Sequence, residues 1–230
     1  VWAIIGGVIG ARVLHVIDFW DEVYRDDFLS VFAVWSGGIA IYGAIIGGFI
    51  GGALYIMIRN SEWFLSLWRT VFPWMGEAQK ANLPSIGRLA DVSAPAVLIG
   101  MAIGRLGDII NGEHFAKVTD LPWGFIYTHA NSPGILRPPT HPAVGYEMVF
   151  DLLLVAAIWP LRNRLRPNGM FFTLFLATYS IGRFFLSFLR EEFNEYFGAL
   201  NEAQVVAIIV VIFTVPLLVW KAQLVRPTTN

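Results

Sequence analysis

Six apolar segments, each about as long as a membrane-spanning helix, constrain the fold of this chain more than any other feature. They cover residues 1–17, 37–58, 84–104, 142–161, 168–189 and 204–220. Backbone N–H and C=O groups in lipid must pair within their own segment, so we expect these segments to be helices. The pattern therefore predicts an all-α integral membrane protein, a polytopic bundle of about six transmembrane helices.

Composition agrees with a bilayer environment and excludes several classes of protein. Hydrophobic residues make up 56% of the chain and charged residues only 14%, whereas soluble domains carry about 25% charged residues. A net charge of -1 provides no basic field for nucleic acid. The chain has no cysteine, which excludes disulfides, cysteine-ligated metals and a cysteine nucleophile. Any thiol chemistry would have to use a thiol supplied by a substrate.

The connections between the segments alternate in charge. Arginine and lysine concentrate in 59–83, in 162–167 and in the tail after residue 220. The positive-inside rule places these three in the cytoplasm, the C-terminus included. The remaining connections, 18–36, 105–141 and 190–203, are then external. We expect one transmembrane domain over 1–230, with 105–141 forming a small external cap. The short first segment, which has no charged leader before it, predicts that the sequence starts partway through a helix.

Glycines recur at a spacing of four residues in the first three segments. The pairs are Gly6/Gly10, Gly43/Gly47, Gly47/Gly51, Gly48/Gly52 and Gly100/Gly104. Small residues at this spacing allow helices to approach closely in lipid. We therefore expect close helix packing. A second interpretation, compatible with the first, is that Gly37, Gly38 and Gly43 leave room for a lipid headgroup.

Ionisable residues at membrane depth are costly, so each is a candidate for function. Arg183 lies inside segment 168–189, with Tyr179 one turn before it and Arg190 about two turns after it. An internal ion pair is the alternative interpretation for Arg183, and extension to the membrane surface is the alternative for Arg190.

Two further polar clusters flank the predicted cap. The first follows segment 84–104 and contains Arg105, Asp108, Asn111, Glu113 and His114. A pair between Arg105 and Asp108 at a helix end accounts for two of these residues. The second contains His141, Glu147 and Asp151. Glu147 in the first turns of a helix is favoured by the helix dipole, but Asp151 lies deeper.

The three clusters together place arginines, carboxylates and histidine near one side of a helix bundle. The guanidinium fork of arginine suits phosphate. A carboxylate or a histidine beside it can accept a proton. Because phospholipid headgroups are the anions that a membrane offers in quantity, these residues indicate a membrane protein that handles a phosphate-bearing lipid.

Five strings of residues resemble the bacterial prolipoprotein diacylglyceryl transferases, in order along nearly the whole chain. They are SGGIAIYGAIIGG (36–48), GRLGDIINGEH (104–114), LPWGFIYTHANSPG (121–134), THPAVGYE (140–147) and TYSIGRFFLSFLRE (178–191). The resemblance implies seven helices with an external N-terminus, so that six remain here if the first is missing. It also implies a multi-pass protein of the bacterial inner membrane.

The resemblance implies a reaction and a set of site residues. The diacylglyceryl group of phosphatidylglycerol would move to the thiol of a lipobox cysteine in a prolipoprotein, releasing glycerol phosphate, without a metal or other cofactor. Arg105 and Arg183 would hold the phosphate and stabilise the charge of the leaving group. The other implied residues would position the headgroup, relay protons or support the site: Asn111, Glu113, Glu147, Tyr179 and Arg190, together with Asp108, His141, Tyr42, Gly37, Gly38 and Gly43.

Three positions depart from the pattern of that family. Tyr42 stands where histidine is common, Asp108 replaces asparagine, and Ser187 occupies a position where an acid is frequent. Because the ordinary pKa of tyrosine is about 10, Glu113, Glu147 or His141 suits the role of general base better than Tyr42. These departures keep open a second hypothesis, a relative that binds phospholipid without catalysis. A transporter or channel is a third and less favoured one.

Overall fold

The structure is a computed structural model that describes residues 1–25, 27–38, 40–76, 84–112, 116–132, 134–135, 137–191, 195–196 and 200–225. It divides into two compact units, Val1–Ile86 and Gly87–Asn230. The described residues are mostly helical, and each of the six apolar segments contains an α-helix. The prediction of an all-α, multi-pass membrane protein is confirmed.

The first unit contains three helices, α1 (Trp2–Asp18), α2 (Ile41–Arg59) and α3 (Glu62–Val71). Helix α3 lies in the basic connection 59–83 and was not expected from the pattern of apolar segments. The Ser61 side chain accepts a hydrogen bond from the Phe64 N–H group at 3.2 Å and so caps its start. The axes of α2 and α3 are bent by 70°, because Asn60 and Ser61 interrupt the helix between them.

The second unit contains four helices and two short antiparallel strand pairs. The helices are α4 (Ile86–Asn111), α5 (Ala143–Ile158), α6 (Met170–Leu186) and α7 (Glu202–Lys221). The strands are β1 (Leu165–Arg166) with β4 (Gln223–Leu224), and β2 (Glu195–Tyr196) with β3 (Leu200–Asn201). Among the described residues, these four helices, with short 3-10 turns that extend α5 and α6, are long and apolar enough to cross a membrane.

Glycine contacts hold α1 against α2, as the spacing of four residues predicted. A Cβ atom added to Gly47 would lie 2.8 Å from the Cα atom of Gly10 and would also collide with the carbonyl oxygen of Gly6. Gly43 meets the backbone of Gly10 in the same way. Gly100 differs, because no described atom lies within 4 Å of a Cβ atom placed there. The close approach is therefore a property of the α1–α2 pair.

Arg12 is a buried cation of the first unit that the sequence analysis did not single out. Its side chain is only 6% exposed and its guanidinium lies 5.2 Å from the ring centre of Tyr24. It donates to four backbone carbonyls, those of Ser30, Val31, Gly37 and Gly38. An arginine within an otherwise apolar run was the available signal. Its role in this structure is to fold the segment before α2 against α1.

The core of the second unit lies where α4, α5 and α6 meet. Its buried side chains are Ala94 and Leu98 of α4, Leu154 and Ile158 of α5, and Phe171 and Phe175 of α6. A spacing of four residues places each pair on one face of its helix. This packing fixes the three helices that carry the polar residues described below.

Asp91 ties α4 to the start of α6. It is 5% exposed, and its two carboxylate oxygens accept hydrogen bonds from the N–H groups of Gly169 and Phe172 at 2.8 and 2.9 Å. The first N–H groups of a helix have no partner within the helix, and a negative charge there is favoured by the helix dipole. Asp91 therefore acts as an N-cap supplied by a neighbouring helix.

The segment between α4 and α5 forms short bridges instead of a helix in its described residues. Ala116 pairs with Arg190, and both Val118 and Phe125 pair with Thr140. Lys117 donates its N–H to the carbonyl of Leu189 at 2.9 Å. This segment therefore joins the end of α6 to the start of α5. The external position of 105–141 stays a prediction.

Candidate active site

Glu147 is the centre of the strongest polar cluster in the second unit. It lies in the second turn of α5, on the buried stripe that also includes Asp151, Leu154 and Ile158. Its side chain is only 5% exposed. A carboxylate removed from water in this way requires compensating charge.

Three arginines from two other helical segments supply that charge. The Nη2 atom of Arg105 on α4 lies 2.6 Å from Glu147 Oε2. The two atoms form an ion pair, but their angle does not meet the geometry of a hydrogen bond. Arg183 of α6 donates to Glu147 Oε1. Arg190, which follows the turn after α6, donates to the same oxygen at 3.1 Å. Residues far apart in sequence thus meet at one carboxylate.

In the ion pairs of the cluster, guanidinium groups outnumber carboxylates. Arg105 also pairs with Asp108 at 2.7 Å, so the three guanidinium groups face two carboxylates. The arginine side chains are 9–17% exposed. Partly exposed guanidinium forks are suited to an anion such as phosphate. Asp108, which stands where the resemblance leads us to expect asparagine, pairs with Arg105 at the end of α4.

Asp151 and Tyr179 extend the polar cluster away from the α4–α5 connection. Asp151 is 1% exposed and lies one helical turn beyond Glu147, within electrostatic range of Arg105 and Arg183. Its Oδ1 atom has no hydrogen-bond partner among the described residues. Tyr179 packs against the hydrophobic core of the unit, one turn before Arg183.

His141 lies on the opposite side of Glu147, just before α5. Its backbone N–H group donates to the carbonyl of Lys117 at 3.0 Å. The centre of its ring lies 6.3 Å from that of Tyr146. Its Nδ1 atom is buried and has no partner in the described parts of the chain. An imidazole nitrogen in this position is available to a ligand or a proton.

One of the remaining predicted residues lies at the end of α4. Asn111 is the last residue of the helix and is exposed, whereas Glu113 lies outside the described residues. Gly112 turns the chain with φ of +70°. The ring of Tyr127, which the sequence analysis did not select, packs against this turn. Burial, with a smaller contribution from Asp108, raises the pKa of the Tyr127 hydroxyl.

The other predicted residues belong to the first unit. Gly37 and Gly38 have φ of +86° and +73°, a conformation that favours glycine, and Arg12 holds both of their carbonyls. Gly43 packs against the backbone of Gly10, so the space beside it is filled by α1. Tyr42 is the second residue of α2, and its side chain lies outside the described part of the structure.

Ser187 has a structural explanation at a position where the family often has an acid. It is 1% exposed, and its hydroxyl donates to the carbonyl of Arg183 at 2.8 Å. A serine that bonds the carbonyl one turn earlier is satisfied without a charged partner. The alternative interpretations of the two arginines can also be judged: Arg183 is in an internal ion pair, and Arg190 is buried beside Glu147 instead of extending to the surface.

Comparison with known proteins identifies the family. The family model described as prolipoprotein diacylglyceryl transferase matches residues 1–80 and 70–220. A phosphatidylglycerol–prolipoprotein diacylglyceryl transferase of Trichormus variabilis is 32% identical, and the match covers 99% of this chain and 74% of the relative. The chain belongs to the prolipoprotein diacylglyceryl transferase family.

Two further relatives with the same name extend this finding. The protein of Synechocystis is 34% identical over 96% of this chain and 72% of its own length. The protein of Dehalococcoides mccartyi is 32% identical over 98% of this chain and 76% of its own length. The resemblance inferred from the motifs is therefore confirmed, and so is the prediction of a transferase enzyme. The roles of individual residues stay predictions.

Proposed function

We propose that this chain transfers the diacylglyceryl group of phosphatidylglycerol to the cysteine thiol of prolipoproteins and releases glycerol phosphate. The observation that carries the proposal is the convergence of Arg105, Arg183 and Arg190 on the buried carboxylate of Glu147. The names of the relatives supply the two substrates. The arginine cluster supplies a physical reason for the lipid substrate.

The charge of the cluster matches the charge change of the reaction. Phosphatidylglycerol carries one negative charge on its phosphodiester, and the leaving glycerol phosphate gains a second when the C–O bond breaks. Interactions that strengthen as this charge develops lower the barrier of the chemical step. Glu147 holds the three arginines in place before substrate arrives, which limits reorganisation. A phosphate that enters the cluster would share the guanidinium groups with Glu147.

The residue roles follow from these positions. Arg105 and Arg183 would hold the phosphate, with Arg190 and Glu147 maintaining their geometry. His141, with its free Nδ1 atom, and Glu113 are the candidates for proton transfer on the side of the α4–α5 connection. The remaining candidates would position the lipid or support the site: Asp108, Asn111, Tyr179, Tyr42, Gly37, Gly38 and Gly43.

The setting of the reaction is part of the proposal. The alternation of charge between the connections supports a cytoplasmic C-terminus and an external segment 105–141. A bacterial inner membrane provides both phosphatidylglycerol and prolipoprotein signal peptides. The group that accepts the diacylglyceryl group would be the thiol of the lipobox cysteine. The absence of cysteine from this chain fits a thiol supplied by the substrate.

A direct assay tests this function. Membranes that contain the full chain would be incubated with phosphatidylglycerol and a lipobox peptide, and mass spectrometry would detect a diacylglyceryl adduct. A peptide with serine in place of cysteine is the control for the thiol. Arg183→Ala should reduce the adduct at least 100-fold, as loss of one stabilising donor does. The matched control is Arg162→Ala, because Arg162 lies exposed against Trp159.

Two outcomes would contradict the proposal. Absence of adduct with the unaltered chain would favour the hypothesis of a relative that binds lipid without catalysis. Full activity of Arg183→Ala would remove the arginine cluster from the mechanism.

A further inference from the structure

Asp151 is a buried carboxyl group that the proposed mechanism does not use. It is among the most buried side chains of the chain, at 1% exposure. Its Oδ1 atom has no hydrogen-bond partner in the described residues, although buried polar atoms in proteins are bonded in the large majority of cases. A carboxyl oxygen without a partner near an arginine cluster indicates a group that can accept a hydrogen bond from a ligand or accept a proton.

The position of Asp151 relative to the arginines suggests which part of a lipid it would meet. The α4–α5 connection precedes α5, so the helix runs from this connection through Glu147 to Asp151, four residues or about 6 Å further along its axis. If the phosphate occupies the guanidinium groups with its headgroup toward the connection, the diacylglyceryl carbons extend in the other direction. The carbon that the thiol attacks then lies on the Asp151 side of the phosphate.

Glu147 is poorly suited to take the proton of the thiol. Its Oε1 atom accepts from Arg183 and Arg190, and its Oε2 atom faces Arg105. Protonation would disrupt the ion pairs that hold the phosphate site together. Asp151 has no ion pair among the described residues, so its protonation breaks none.

We propose, on the basis of the proposed transferase function, that Asp151 is the proton acceptor for the thiol of the incoming cysteine. The S–H bond breaks and the proton moves to Asp151 Oδ1. The sulfur forms a bond to the lipid carbon, and the C–O bond breaks with its electron pair on the phosphate oxygen. The proton then passes to the departing phosphate monoester, whose second pKa is about 6, or to water.

The charged and titratable groups around Asp151 come from three helices. They are Arg105 on α4, Glu147 on α5, and Tyr179 and Arg183 on α6; Arg105 is itself paired with Asp108.

The test uses the full chain in membranes, with Asp151→Asn and, as a matched control, Asp120→Asn at an exposed position of the α4–α5 connection. Asp151→Asn should lower kcat for a cysteine peptide about 10²–10⁴-fold at pH 7, the usual range for loss of a general base. Its rate should then rise about tenfold per pH unit up to the thiol pKa of about 8.5, because hydroxide must ionise the thiol. Asp120→Asn should behave like the unaltered chain.

A selenocysteine peptide separates a lost base from a disturbed site, because a selenol is already ionised at neutral pH. Asp151→Asn should recover most of its activity with this peptide, whereas Arg183→Ala should not. If Asp151→Asn does not fold, Asp151→Glu, which retains a carboxylate, replaces it and should be at least tenfold more active than Asp151→Ala. A rate equal to that of the unaltered chain for Asp151→Asn, or no rescue by the selenol, would overturn the assignment. Absence of adduct with the unaltered chain would instead refute the proposed function itself.

Discussion

Replacing Glu147 by glutamine isolates the energetic role of the central carboxylate. The substitution preserves size and one carbonyl oxygen but removes the charge that three guanidinium groups share. Of the two carboxylates in ion pairs with these guanidinium groups, only Asp108 would then remain. Breaking a buried ion pair by removing one partner costs about 3–5 kcal/mol. Because the arginine side chains remain partly exposed, we expect a loss of unfolding free energy near the lower end, about 3 kcal/mol.

The assay is thermal unfolding of the purified chain in detergent. For a domain of this size, 1 kcal/mol corresponds to about 2–4 °C in Tm, so the midpoint should fall by about 6–12 °C. Phosphatidylglycerol should raise the midpoint of Glu147→Gln more than that of the unaltered chain, since an anionic headgroup replaces the missing charge. A neutral diacylglycerol should not have this effect.

The chain offers a matched control in the pair between Arg137 and Glu191. Their side chains are 2.7 Å apart but are 36% and 42% exposed, and exposed ion pairs contribute about 0–1 kcal/mol. Glu191→Gln should therefore leave Tm nearly unchanged. If Glu147→Gln and Glu191→Gln lowered Tm equally, the claim that Glu147 holds the three arginines together would be refuted.

Two further predictions concern the framework around the site. Asp91→Ala should lower the unfolding free energy by about 1–3 kcal/mol, because it leaves the N–H groups of Gly169 and Phe172 without the partner that Asp91 provides. In thermal unfolding, Asp91→Asn should recover part of this loss. Equal stability of the unaltered chain and both variants would contradict the role of Asp91 as a cap. Gly47→Val should separate α1 from α2 and accelerate proteolysis of the first unit. Gly100→Val should not accelerate proteolysis, because the structure leaves open space at that position. Equal proteolysis of both variants would argue against the glycine contact.

Features set by short-range pattern could be read from the sequence. The six apolar segments predicted six helices because the length of a spanning helix is fixed by the bilayer and its hydrogen bonds are local. The spacing of Gly6, Gly10, Gly43 and Gly47 predicted a close helix pair, since residues four apart share a helix face. Arg183 drew attention because charge is expensive at membrane depth, and Arg105 because it belongs to a cluster of polar residues that follows segment 84–104.

Features that depend on which distant segments meet were decided by the tertiary structure. Nothing local shows that Arg105, Arg183 and Arg190 share one carboxylate, or that Ser187 bonds to a helix carbonyl instead of replacing an acid. Asp91 reads as an ordinary helix residue until the start of α6 is placed beside it. Arg12 likewise finds its carbonyl partners only when the segment before α2 folds onto α1. The helices and the kinds of polar group could be predicted from the sequence, because they follow from local periodicity and solvation. Only the packing of helices distant along the chain decided which group neutralises which, because a buried charge takes its partner from whichever helix is adjacent in space.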